Sequence, residues 1–256
     1  MSWDRNIVIK SQAELALMRE AGRVNALALA TVREMIGPGV ATADLDAAAE
    51  EVIRKHGGIP VFKGYPGAYP FPATLCISVN EELVHGFPSK RRLKVGDIVS
   101  VDCGTLLGGF VGDAAFTVGV GEVSAQARRL IEVTEHALQV GIAQMRVGNR
   151  TGDVSAAIQQ YVESNGFHVT HEYTGHGVGQ QMHEGPQVPN YGAPGRGVVL
   201  RPGMTIALEP MVLVGTPRTR VMPDQWTVVS VDGSLTAHSE HTVAVTEADP
   251  WILTLP

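Results

Sequence analysis

The sequence predicts an α+β fold made of two pseudo-symmetric halves. Each half is a helix–helix–strand unit, and the helices lie on the outer face of a curved, mainly antiparallel sheet. Three observations carry this reading. Ten of the 39 positions from Arg19 to Gly57 recur 109 residues later, between Arg128 and Gly166, among them Gly39/Gly148, Thr42/Thr151, Asp44/Asp153 and Gly57/Gly166. The match resumes at an offset of 107, where Leu93-Lys94-Val95-Gly96 corresponds to Leu200-Arg201-Pro202-Gly203. The strand-like segments are short and framed by Gly and Pro, as in hairpins rather than βαβ crossovers. No Ser/Pro-rich linker parts the copies, so residues 1–256 are expected to form one domain with halves of about 11–120 and 121–247.

The elements follow in order. Each copy opens with a long amphipathic helix, turns at GPGVATADL or VGNRTGDV, continues as a second helix and stops at Gly57 or Gly166. Thr42 and Thr151 are expected helix N-caps, each with an acid, Asp44 or Asp153, in the first turn. IVSVDCG is an apolar strand ending at Asp102, and after a Gly-rich turn a hairpin strand, GGFVGDAAFTVGV, brings Asp113 back beside it. The second copy repeats the plan: GMTIALEPM ends its strand at Glu209, and a further hairpin strand in LTAHSEHTVAVT carries Glu240. HGFP and HEGP also correspond, which pairs His85 with His183.

Composition removes several classes of function. Hydrophobic residues make up 44% and charged residues 18%, enough for a full core and unlike a disordered chain. The net charge is −6, and the short run Lys90, Arg91, Arg92 and Lys94 reads as a solvated turn, so no nucleic-acid partner is expected. No apolar run approaches the ~20 residues that span a membrane. The opening MSWDRNIVIK lacks a leader's apolar core, so a cytoplasmic location is expected. Cys76 and Cys103 are read as buried free thiols.

Asp102, Asp113, His176, Glu209 and Glu240 are the candidate metal ligands. Four carboxylates and one imidazole form a hard, oxygen-rich set that suits Mn²⁺, Fe²⁺ or Co²⁺ better than a structural zinc. Acids on adjacent strands destabilise a sheet unless a cation lies among them, and pairs of divalent ions roughly 3.5–4 Å apart serve hydrolysis. Glycines on both sides of His176 let the backbone approach a ligand closely. His171 falls in the same His-rich stretch, and strand alternation turns His241 away from Glu240.

At these residues the chain resembles the type I methionine aminopeptidases of the pita-bread metallopeptidase family, from about Ser11 to Val245. The motifs are CISVNEELVHGFP, VGDIVSVDCG, GGFVGDAAFTVG, THEYTGHGVGQQMHEGPQV, RPGMTIALEPM and SEHTVAV. The resemblance implies a pseudo-twofold fold and two divalent ions (Co, Mn, Fe(II) or Zn), with a monovalent cation as a further candidate. Asp113 and Glu240 would be shared by the two ions, Asp102 would complete one side, and His176 and Glu209 the other. It implies Glu209 as proton shuttle, and His85 and His183 as the catalytic histidines that contact substrate. Tyr65, Phe71, Cys76, His85 and Trp226 would line the methionine pocket, with Phe62 and Met182 nearby. The loop GYPGAYPFPATLC is about three residues longer than the family's usual form. The implied substrate is the N-terminus of a nascent polypeptide with a small second residue. The implied enzyme is a monomer, with the ribosome as a candidate partner. X-Pro peptidases share the fold and ligands, but they usually carry a sizeable extra N-terminal domain, which is not expected here because the first candidate ligand comes at residue 102.

Overall fold

Ser11 starts the first helix. Its hydroxyl accepts the Glu14 N–H while the Glu14 carboxylate accepts the Ser11 N–H, a capping box that fixes the entry of α1, Gln12–Met35. The other helices are α2 (Thr42–Lys55), α3 (Ala125–Ala143) and α4 (Thr151–Ser164). Gly57 and Gly166 follow α2 and α4 with φ of 77° and 80°, a left-handed conformation that glycine adopts without steric cost. The computed structural model describes residues 7–256. Residues 1–6, part of the opening read above as lacking a leader, lie outside the described residues.

Fifteen strands are described: β1 (Ile59–Pro60), β2 (Leu75–Val79), β3 (Glu82–Val84), β4 (Ile98–Leu107), β5 (Phe110–Gly119), β6 (His168–Val169), β7 (Thr174–Gly177), β8 (Glu184–Pro189), β9 (Thr205–Leu208), β10 (Met211–Leu213), β11 (Thr219–Val221), β12 (Val228–Ser230), β13 (Thr236–His238), β14 (Glu240–Ala244) and β15 (Trp251–Ile252). The main sheet runs β1-β4-β5-β14-β9-β7-β8, with β2 also on β4 and β15 on β14, and its pairings are antiparallel.

The two copies meet at the centre of this sheet, where β5 pairs with β14. Each half has its own core. Leu29, Val32, Leu45 and Ile53 of α1 and α2 pack on Val99, Val101 and Phe116. Leu130, Leu138, Ile158 and Val162 of α3 and α4 pack on Ile206, Leu208 and Val243. Helix α1 crosses β5 at a pair of glycines: a Cβ on Gly112 would lie 2.6 Å from the Gly22 Cα.

Two sequence expectations need correction. Thr42 and Thr151 are the first residues of their helices, not N-caps. Their hydroxyls instead accept backbone N–H groups of Ser89 and Val198, tying each helix start to the loop before the next strand. These loops are themselves 109 residues apart, so the repeat extends to its hydrogen bonds. Second, β4 does not end at Asp102 but runs on to Leu107 and forms a tight hairpin with β5 through Gly108 and Gly109, whereas β9 and β14 form none. Strands β10 to β13 are inserted between them and form two small three-stranded sheets with β6 and β3. Cys76 and Cys103 are free and buried, as expected. Among the described residues, no helix is long and apolar enough to cross a membrane.

Candidate metal centre

Five neighbouring elements of the main sheet each contribute one candidate ligand. Asp102 (β4) and Glu240 (β14) both register with Ala115 on the strand between them, whose methyl side chain leaves the row open. Asp113 lies two residues from Ala115 on β5 and therefore projects from the same face. Thr242 holds Asp113 in place: its hydroxyl accepts the Asp113 N–H and donates to the Asp113 carbonyl. Glu209 follows the last residue of β9, and His176 on β7 registers with Ala207 of β9.

Ligand atoms of Asp113, His176 and Glu240 lie within 4.8 Å of one another, all buried. His176 Nε2 is 3.5 Å from Glu209 Oε1 and 3.8 Å from Asp113 Oδ2. Asp102 enters through its charge, since it and Asp113 repel. Burial first, and then Asp113, hold the Asp102 carboxyl well above the usual carboxylate range. Burial and repulsion from Asp113 and Asp102 do the same to Glu209 and Glu240. Burial pushes Asp113 up to about 7 and His176 down to about 3.

These residues fit a divalent cation. Asp102 Oδ1 and Asp113 Oδ1 are buried without a hydrogen-bond partner, an arrangement that is costly for carboxylates unless a cation takes those lone pairs. The donor set is oxygen-rich with one imidazole nitrogen, chemistry suited to hard or borderline ions.

A cavity of about 370 Å³ opens over the carboxylates. Its lining includes the five candidate ligands, His85, His183, Tyr65, Phe71, Cys76, Trp226, Phe62 and Met182. One end is apolar, with Phe62, Phe71, Ala73 and Cys76 forming a small cluster against Met182 and Trp226. The His85 backbone has φ of 60°, a left-handed conformation uncommon outside glycine. Its ring packs edge-on to Tyr173 and Trp226, and burial lowers it to about 4. The His183 ring lies 4.3 Å from that of His176.

Sequence reasoning missed His238. Its Nε2 is 3.7 Å from Glu209 Oε2 and 3.9 Å from Glu240 Oε2, and it has no hydrogen-bond partner among the described residues. The signal was present, because the alternation that turned His241 away from Glu240 puts position 238 on the same face as Glu240. His241 does point away and faces Thr254. His171 stacks on Tyr191, outside the cavity lining. The glycines beside His176 admit neighbouring backbone rather than a ligand: a Cβ on Gly175 would lie 2.7 Å from the Ala207 carbonyl oxygen, and one on Gly177 would strike that of Gly185.

The profile of metallopeptidase family M24 matches residues 16–247. The chain belongs to metallopeptidase family M24. Among its relatives, the methionine aminopeptidase of Clostridium perfringens is 51% identical over 249 residues, which cover 97% of this chain and 99% of that protein. Methionine aminopeptidase 1 of Bacillus subtilis is 50% identical over 248 residues, 97% of this chain and 99% of the relative. The crystal structure of methionine aminopeptidase from Thermotoga maritima matches with a TM-score of 0.95 at 49% identity, covering 98% of this chain and 100% of that one. The prolidase of Pyrococcus horikoshii matches with a TM-score of 0.78 at 23% identity, and the match covers 63% of its length. That likeness shows a shared M24 fold alone. The carboxylates and His176 described above are thus the candidate centre of a metallopeptidase.

Proposed function

We propose that the chain is a methionyl aminopeptidase, acting in the cytoplasm as a single catalytic domain, 1–256, on nascent polypeptides whose second residue is small. The observation that carries this reading is the cavity in which five metal-type ligands adjoin a pocket of aromatics, Met182 and Cys76. An apolar, polarisable pocket of this kind suits a flexible thioether side chain. The named relatives, about half identical over nearly their full length, support the same substrate.

Asp102, Asp113, His176, Glu209 and Glu240 would hold two divalent ions. When bound, such ions supply Lewis acidity and a nucleophile at neutral pH. The chain's own groups do the rest. Glu209, at the edge of the acidic cluster, carries a proton toward the leaving amine. His183 donates a hydrogen bond to the scissile carbonyl, and His85 contacts the amide nitrogen. Tyr65, Phe71, Cys76 and Trp226 enclose the methionine side chain.

The test is amino-acid release from Met-Ala-Ser and Ala-Pro-Ala by metal-stripped enzyme, with and without added Mn²⁺, Co²⁺, Fe²⁺ or Zn²⁺. Metal-dependent release of methionine alone is expected. Release from the Pro peptide alone would overturn the substrate, and no release with any ion would overturn the activity.

A further inference from the structure

His183 and Tyr65 stand 118 residues apart in the chain, yet the Tyr65 hydroxyl lies 2.6 Å from His183 Nδ1. The rings meet edge-on, 5.4 Å between centroids at 67°. Both partners are held. Tyr65 sits in the loop between β1 and β2, where its N–H donates to the Phe62 carbonyl at 2.8 Å and its carbonyl accepts the Phe71 N–H at 2.9 Å. His183 is packed on its other side by the His176 ring and is followed by Glu184, which is locked in a buried ion pair with Lys10. The contact is therefore built by two fixed segments rather than by a free side chain.

We propose that Tyr65 is a positioning residue for His183: its phenol donates to Nδ1 and so keeps the imidazole proton on Nε2, the nitrogen offered to the substrate carbonyl. This rests on the role given to His183 above. A neutral imidazole has one N–H and one lone-pair nitrogen, and the partner of one nitrogen decides the state of the other. A phenol that donates to Nδ1 makes Nε2 the donor. In the opposite tautomer Nε2 would present a lone pair to the carbonyl oxygen, and the hydrogen bond would be lost where negative charge develops. Burial keeps the phenol protonated by raising its pKa, so the donor is available at neutral pH. The loop that carries Tyr65 also carries Phe71 of the apolar end, so the segment that shapes the pocket also sets the imidazole.

Tyr65→Phe tests this, because it keeps the ring and its edge-on packing and removes only the hydroxyl. With Met-Ala-Ser, kcat should fall by at least about tenfold while KM changes by less than about twofold. In a His183→Ala background the same substitution should cost less than about twofold, since residues acting as a unit are not additive. Nitrogen NMR of labelled histidine in the full-length chain, free of metal, should show the His183 Nε2–H form in the wild type and a shift toward Nδ1–H in Tyr65→Phe. Additive losses, or the same tautomer in both proteins, would overturn the proposal. If the wild type releases no methionine, the function fails instead, and the NMR result still decides the tautomer.

Discussion

Burial pushes Asp113 up to about 7, and this has a measurable sign. An acid whose folded pKa lies above its unfolded value binds its proton more tightly when folded. Its stabilising contribution is complete below the unfolded value of 3.8 and is lost as pH rises toward about 7. The buried histidines act in the other direction. His85 at about 4, and His176 and His238 at about 3, resist protonation when folded, so their contribution is present above 6.5 and is lost as pH falls. Comparing Asp113→Asn with the wild type, both stripped of metal, isolates the acid. The variant's advantage in Tm should grow between pH 4.5 and 7.5, by more than about 3 °C. A constant difference across that range would contradict the effect of burial on Asp113. Glu209→Gln should lower kcat on Met-Ala-Ser by at least about a hundredfold, the scale of a lost proton-transfer group. At this scale the sequence was legible wherever a residue sat in an apolar strand segment or in a repeat. Asp102 and Glu209 stood out in the sequence because they occupy matching positions of the repeat. The Tyr65–His183 contact was invisible, because nothing in local spacing joins a loop in one half to a histidine in the other.

At the scale of elements, the repeat predicted the four helices and the β4–β5 hairpin, and it went astray where one copy carries an insertion. Nothing in the periodicity near Glu209 announced that four short strands would separate β9 from β14. The expected N-caps failed for a related reason: a Thr at a helix start can satisfy a neighbouring loop as readily as its own helix, and tertiary contacts decide which. Two elements invite measurement. The segment before α1 is strapped to β8 by the Lys10–Glu184 pair, 2.5 Å apart with both side chains less than a tenth exposed. Removing one partner of such a pair leaves a buried charge, so Lys10→Met should destabilise the protein by about 3 kcal/mol in urea unfolding. The double variant Lys10→Met/Glu184→Gln should recover part of that loss; no recovery would mean the lysine acts through packing alone. The α1–β5 crossing depends on absent side chains. Gly112→Ala would force a methyl to within 2.6 Å of Gly22, so α1 must shift, with a loss of about 1–3 kcal/mol or more by the same measurement.

For the whole molecule, the candidate metal ligands divide between the halves: Asp102 and Asp113 come from the first copy, His176, Glu209 and Glu240 from the second. At the centre of the main sheet the halves meet where β5 pairs with β14. There Ala115/Glu240 and Ala114/His241 are in register, supplemented by the Thr242–Asp113 bonds and by Thr117, whose hydroxyl donates to the His238 carbonyl and accepts the His238 N–H. Four carboxylates crowd this seam, and without a cation their repulsion works against it. Bound divalent ions should therefore act as a clamp between the copies as well as a reagent. A ligand held at a thousand times its Kd stabilises the state that binds it by about 4 kcal/mol. The expected result is a Tm higher by roughly 8 °C or more in saturating Mn²⁺ than after chelation. The clamp needs both halves, so Asp113→Ala in the first copy and Glu240→Ala in the second should each abolish most of that increment. Since each removes a charge from the crowded seam, neither should fall below the metal-free wild type in Tm. If Mn²⁺ stabilised either variant as much as the wild type, the ion would be bound by one half alone, and the seam would owe nothing to it.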